Sequence, residues 1–188
     1  MSQLRLFDDQ IIIPDLKYIA EYITIEQEYK LIKLIDSQPW ITELKRRVQH
    51  YGYKYDYKSR SINQSYYLGA LPKWLQVLCE TFYKQNIFYE LPNQVIINEY
   101  MPGQGIASHI DCIPCFSDTI CSLSLGGSCI MELTNDKAKY SITLKPRSLL
   151  ILKNEARYKW EHGIAARKSD NKIARNRRIS LTFRKVIL

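Results

Sequence analysis

QVIINEY (94–100), TICSLSL (119–125), SCIMEL (128–133), YSITL (140–144), SLLIL (148–152), RYKWEH (157–162) and RISLTFRKV (178–186) follow one another through the second half of the chain. Each is short, most are rich in β-branched or aliphatic residues, and turn formers separate them: Gly103-Gln104-Gly105, Gly126-Gly127, Asn135-Asp136 and Lys145-Pro146. Many short strands at this spacing predict a mainly β fold, a sandwich or jelly roll, with any helices packed outside it.

The first half reads differently. Thr24, with Gln27 three residues on, has the form of a capping box. Ile25, Tyr29, Ile32 and Ile35 then recur at helical spacing, ending before Pro39. A second helix is expected from Pro72, with Trp74, Leu75, Leu78 and Phe82 as its buried stripe. Between the two helices, LKRRVQHYGYKYDYKSR (44–60) alternates aromatic and charged side chains, as a hairpin with one exposed face would.

The 188 residues fit one domain, 1–188, divided at about residue 92 into an N-terminal part and a β core (93–188). Hydrophobic residues are 46% and charged residues 24%, and no run approaches the roughly 18 apolar residues of a membrane span. Met1–Pro14 lacks the order of a secretory signal, so the expected compartment is the cytoplasm, or the nucleus of a eukaryotic host, for a monomer with no membrane partner. The five cysteines (Cys79, Cys112, Cys115, Cys121, Cys129) are odd in number and sit mostly in apolar runs, which predicts reduced, buried thiols. Cys112-x-x-Cys115 alone is a weak zinc or redox signal and reads as pocket wall or loop. A net charge of +8 favours a polyanionic partner such as nucleic acid, although simple solubility accounts for it equally well.

Three histidines are present: His50, His109 and His162. His109-x-Asp111 at the start of a strand would turn both side chains to one ion, because residues i and i+2 share a face. With His162 at the end of another strand, two histidines and one carboxylate make the facial triad of non-haem iron(II) oxygenases, leaving positions for cosubstrate and dioxygen. A zinc hydrolase, or no metal, is as good a reading of these three residues alone. RISLTFR (178–184) separates the alternatives. Arg178, Ser180, Thr182 and Arg184 share one face, and Ile179, Leu181 and Phe183 the other. Arginine captures carboxylates bidentately, and 2-oxoglutarate carries two. Two inward arginines in a barrel need an anion to offset their desolvation, whereas a basic surface strand would not. Asn98 and Tyr100 also share a strand face, on a strand adjacent to the H-x-D, where they would donate to a keto acid.

Asn98-x-Tyr100, His109-x-Asp111, SLSLG (122–126), SLLIL, ARYKWEHGI (156–164) and Arg178-x5-Arg184 together resemble, in order and in local sequence, the AlkB family of nucleic-acid dioxygenases over roughly 93–185. The resemblance implies a double-stranded β-helix with iron(II) on His109, Asp111 and His162. It implies 2-oxoglutarate on Asn98, Tyr100, Arg178 and Arg184, with Arg178 at the distal carboxylate and Arg184 nearer the metal. It implies dioxygen as co-reactant and oxidative hydroxylation of a base; an N-methyl carbon so hydroxylated is lost as formaldehyde. It also turns the segment around Arg46–Arg60 into a nucleotide-recognition lid, where Lys45, Arg46, Arg47, Lys54, Lys58 and Arg60 interleave with Tyr51, Tyr53, Tyr55 and Tyr57, and in which Arg46, Arg47, His50, Tyr51, Tyr53 and Tyr55 are expected to meet substrate through phosphate contacts and base stacking. Repair members often carry a carboxylate two residues after the metal aspartate, where this chain has Ile113. RRVQHYGY (46–53) and ARYKWEHGI are most similar to the branch that hydroxylates modified wobble uridine in tRNA, so RNA is expected ahead of DNA. DNA alkylation repair, hydroxylation of a protein or small molecule, and a non-catalytic binding module are the alternatives, in that order. A second nucleic-acid contact is expected at Arg167, Lys168, Lys172, Arg175 and Arg177.

Overall fold

The computed structural model describes residues 13–42 and 45–188; most of the stretch 1–14 read for a secretory signal, and Leu44 at the start of the expected hairpin, lie outside the described residues. Two antiparallel sheets face one another. The larger has strand order β1-β8-β5-β12-β3-β2 and the smaller β4-β9-β6-β7. The larger sheet comprises β1 (Leu16–Ile19), β2 (Val48–Tyr51), β3 (Gln94–Tyr100), β5 (Phe116–Gly126), β8 (Leu149–Lys153) and β12 (Arg178–Val186). The smaller comprises β4 (Ile106–His109), β6 (Cys129–Thr134), β7 (Lys139–Leu144) and β9 (Glu161–Ile164). A two-stranded ribbon, β10 (Ser169–Asp170) and β11 (Ile173–Ala174), leads into β12. This is the predicted mainly β jelly roll with flanking helices.

Strand alternation gives the large sheet two different faces. Val95, Ile97, Cys121, Leu123, Leu125, Leu149, Ile151, Ile179, Leu181 and Phe183 bury one face under helices α1 (Ile25–Asp36) and α2 (Lys73–Lys84). The residues that alternate with them along the strands, from Ile96 and Asn98 through Ile120 and Ser122 to Arg178 and Arg184, face the smaller sheet. Part of the space between the sheets is filled by Met131, Leu133, Leu144, Leu152, Trp160 and their neighbours. The rest is cavity. Strand twist and the helix layer thus place every polar residue of RISLTFR on the inner wall.

The capping box forms as read: Gln27 N–H donates to Thr24 Oγ1 (3.1 Å) and Thr24 N–H to Gln27 Oε1 (2.8 Å). The buried stripe of α1 differs from the expected one. Leu31 and Ile35 are buried, whereas Ile25 and Tyr29 lie on the solvent face. In α2 the stripe is Leu75, Cys79 and Phe82, with Trp74 and Leu78 half-buried beside it.

Three strand expectations are corrected. Residues 44–60 do not form a hairpin of their own: β2 pairs with β3 as an edge of the large sheet, and the chain then turns through Asp56–Ser61. RYKWEH is not one strand, because Asn154–Tyr158 is a short helix, α3, and the strand begins only at Glu161. The H-x-D stands at the end of β4, with Asp111 beyond it, and His162 at the start of β9; β3 lies in the other sheet from β4. Close approach of β4 and β9 depends on glycine. A Cβ on Gly163 would lie 2.9 Å from the Ser108 nitrogen, and one on Gly105 would collide with the Ile164 carbonyl.

Cys79, Cys121 and Cys129 are buried free thiols as expected, but Cys112 and Cys115 are joined in a disulfide. The 3-10 turn Ile113–Cys115 brings their Cα atoms to 5.3 Å, inside the range a disulfide spans.

Candidate active site

A cavity of about 610 Å³ opens between the sheets. One end of it holds His109, Asp111 and His162, and Arg178, Ser180 and Thr182 continue along its floor from Arg184. His109 and His162 are direct partners across β4 and β9, with ring centroids 4.5 Å apart. The His109 Nδ1 lies 2.8 Å from the Ala107 carbonyl oxygen. A carbonyl only accepts, so Nδ1 carries a proton and Nε2 is the ring nitrogen left to face a ligand. Burial, the largest influence, lowers the His162 pKa to about 4, which keeps that imidazole neutral.

Asp111 Oδ1 accepts from Arg184 Nη2 at 2.6 Å, and Oδ2 lies 3.7 Å from His162 Nε2. Burial alone would raise the Asp111 pKa; Arg184 first, then the two histidines, overcome it and bring the group to about 2. Asp111 Oδ2 is buried without a hydrogen-bond partner. Among the described residues no three such donors close round an ion, and Arg184 holds Asp111 by its Oδ1. Two imidazoles, that of His162 kept neutral by burial, and an ionised carboxylate with an orphaned oxygen are nevertheless a donor set that suits iron(II).

Arg178 is almost wholly buried at the other end of β12. Its Nη2 donates to Ser124 Oγ (2.8 Å), its guanidinium lies 5.5 Å from the Tyr100 ring, and its Nε has no partner. No carboxylate among the described residues bonds to it. Arg178 is therefore a buried cation with a donor to spare, facing the cavity, the arrangement an anionic ligand completes. Burial raises the Tyr100 pKa, so its phenol remains a donor. Asn98 presents its amide nearby, with Oδ1 accepting from Arg46 Nε at 2.8 Å.

The segment after residue 44 divides by face. Arg46 and Tyr55 line the cavity, together with Lys45, Tyr57 and Arg60, all of them from the expected lid segment. Arg47 points the other way, into a two-pronged ion pair with Glu99 (2.6 and 2.7 Å) above the Trp40 ring. Tyr51 packs on the helix side against Trp74, and Tyr53 stacks with Tyr67. His50 is held behind Tyr57, and burial, reinforced by Lys54, Arg184 and Arg46, lowers its pKa to about 4. Arg47, Tyr51, Tyr53 and His50 therefore support the wall rather than form it. The second basic stretch is also largely committed. Arg167 and Arg175 both pair with Asp170, and Arg177 bridges Glu99 and Asp36. Lys168 and Lys172 remain exposed.

A jelly roll with two histidines and a carboxylate at one end of its cavity, and a buried arginine at the other, defines an oxygenase fold of the iron and 2-oxo-acid type. The chain belongs to the 2OG-Fe(II) oxygenase superfamily, whose model matches residues 18–184. Its cofactors are accordingly iron(II), 2-oxoglutarate and dioxygen. Its relatives include AlkB homologues. It is 39% identical to the uncharacterized protein L905 of Acanthamoeba polyphaga mimivirus, over 90% of this chain and 83% of that one. It is 37% identical to the Mus musculus tRNA (carboxymethyluridine(34)-5-O)-methyltransferase ALKBH8, over 84% of this chain but only 25% of the mouse protein's length. The solved structure of OsALKBH1 superposes with a TM-score of 0.73 at 16% identity, covering 94% of this chain and 99% of that one.

Proposed function

We propose that this oxygenase hydroxylates or demethylates modified bases of nucleic acid, with single-stranded RNA, tRNA in particular, ahead of duplex DNA. His109, Asp111 and His162 hold the iron, and Arg178 with Tyr100 and Asn98 holds 2-oxoglutarate. The observation that carries the substrate class is the cavity mouth, where the cations Lys45, Arg46 and Arg60 stand beside the rings of Tyr55 and Tyr57. Cations address phosphates, and rings stack on a base taken out of its helix. The names of relatives support this reading, among them the mouse tRNA methyltransferase and a Caenorhabditis elegans DNA N6-methyl adenine demethylase. RNA is placed first because an anticodon loop offers an unpaired base at no unstacking cost, and because the exposed Ile113 stands where a repair enzyme carries a carboxylate.

When bound, iron(II) with 2-oxoglutarate and dioxygen supplies the oxidant for a substrate C–H bond. The chain's own residues do the remaining work. Arg178 fixes the far carboxylate of the cosubstrate and so sets its depth in the cavity. Arg184 keeps Asp111 ionised, and burial keeps His162 neutral, so both are ready as ligands. The aromatic mouth excludes water and orients the base. The test is succinate release with iron across a panel of modified tRNA, DNA and peptide substrates. Release coupled to a peptide alone would refute the substrate class and leave the family intact.

A further inference from the structure

Arg157 heads the largest fully buried side chains of the protein, at 2% exposure. It carries a charge into the interior, yet among the described residues no carboxylate bonds to it. Instead Nη1 donates to the Asp111 carbonyl and Nη2 to the Cys112 carbonyl, each at 3.0 Å. The Tyr158 ring covers the guanidinium, its centroid 4.8 Å away, and Nε makes no hydrogen bond. A buried cation held by two neutral carbonyls is a costly way to close a loop, and an apolar side chain would pack there more cheaply. What arginine adds is a rigid planar fork. It grips two consecutive carbonyls at once and fixes the orientation of the peptide between them. That peptide joins Asp111 to Cys112, so its orientation sets where the Asp111 side chain leaves the backbone. α3 runs by way of the buried Trp160 into β9, where His162 lies five residues after Arg157. One short segment therefore carries one ligand and clamps the backbone of another.

We propose that Arg157 is a positioning residue for the metal site: by gripping the backbone carbonyls of Asp111 and Cys112, it sets the place of the Asp111 carboxylate relative to His162. This rests on the reading of His109, Asp111 and His162 as the ligands. Partners outside the ligand shell commonly change metal affinity about 10- to 100-fold when removed, and the effect expected here is of that size.

The test is Co(II) binding to the full chain, by calorimetry and by the visible spectrum of the bound ion, with thermal melts of the metal-free proteins alongside. Wild type should bind one Co(II), and Asp111→Ala should lose it; binding unaffected by Asp111→Ala would sink the ligand assignment itself. With that assignment standing, Arg157→Gln should bind Co(II) at least about tenfold more weakly with an altered spectrum. Arg157→Lys, which keeps the charge but not the fork, should fall between Arg157→Gln and wild type. A purely structural arginine would lower the melting midpoint and leave affinity and spectrum as in wild type, and that result overturns the proposal. Should Arg157→Gln not fold, Arg157→Lys decides alone: wild-type affinity and spectrum in that variant overturn it.

Discussion

Arg184 on β12 and Asp111 after β4 meet at 2.6 Å across the barrel, 73 residues apart in the chain, and both are nearly buried. The pair joins the end of the cosubstrate strand to the metal loop. It also makes Asp111 responsible for two things, the anionic ligand and the counter-charge of a buried arginine. Asp111→Ala should therefore abolish substrate-coupled succinate release. It should also destabilise the metal-free protein by about 3–5 kcal/mol, because Arg184 is left buried and unpaired. Urea unfolding in the presence of a chelator measures the second effect. Full turnover in this variant would rule out the triad.

Arg178 is the other buried arginine of the strand, and its test is independent of the metal end. Arg178→Ala should weaken 2-oxoglutarate binding by roughly 2–5 kcal/mol, as loss of a buried charge-assisted pair does. Calorimetric titration of 2-oxoglutarate into the metal-loaded protein reads this directly. Arg178→Lys should recover only part of the loss, since one ammonium cannot match a fork. Unchanged affinity in Arg178→Ala would move the cosubstrate elsewhere in the cavity.

Acid should destabilise the metal-free protein well above the range where its carboxylates titrate. His162 and His50 both have folded-state pKa values lowered to about 4, burial being the main cause in each. An unfolded histidine titrates near pH 6.5. Between those values the unfolded chain binds protons that the folded chain refuses, so stability rises with pH across this window. Each histidine contributes a slope of up to about 1.4 kcal/mol per pH unit there. His50 lies outside the metal end, so His50→Gln should flatten the dependence by about one proton while leaving the His162 contribution in place. Parallel stability curves for wild type and His50→Gln between pH 4 and 6.5 would contradict the burial of a neutral His50.

What could be read without the structure followed from local periodicity. The faces of Arg178, Ser180, Thr182 and Arg184 are set by alternation alone, and the large sheet honours it. The capping box at Thr24 is equally local. What escaped depends on partners far away in sequence. Arg46 and Arg47 look alike in the chain, but β2 pairs with β3 so that one meets Asn98 inside and the other Glu99 outside. Arg177 looks like part of a basic nucleic-acid stretch, yet Asp36, 141 residues away, claims it. Arg157 falls in RYKWEH, which the sequence places among the strands, whereas it lies on α3. Its two carbonyl acceptors lie on a loop more than forty residues upstream.

These differences sharpen the last prediction, which concerns the nucleic-acid surface. Of the cations expected from sequence to meet phosphates, Arg47, Arg167, Arg175 and Arg177 are engaged in ion pairs, whereas Lys45, Arg46 and Arg60 border the cavity. Arg46 also bonds Asn98, so its replacement would disturb the cosubstrate wall. Lys45 and Arg60 are the cleaner probes. Each phosphate contact on a single strand contributes about 0.7 to the slope of log affinity against log salt. The double variant Lys45→Ala/Arg60→Ala should therefore bind an anticodon stem-loop more weakly and with a salt slope shallower by about 1.4. Its affinity for 2-oxoglutarate should match wild type, since neither residue bonds to Arg178, Asn98 or Tyr100 among the described contacts. Arg175→Ala should instead lower thermal stability by removing the two-pronged pair with Asp170 and the bond to the Ala165 carbonyl, with a salt slope like that of wild type. Filter binding of the stem-loop at several salt concentrations compares all three proteins. A wild-type slope in the double variant, or a reduced slope in Arg175→Ala, would place the polynucleotide on the β10–β11 side instead of the cavity mouth.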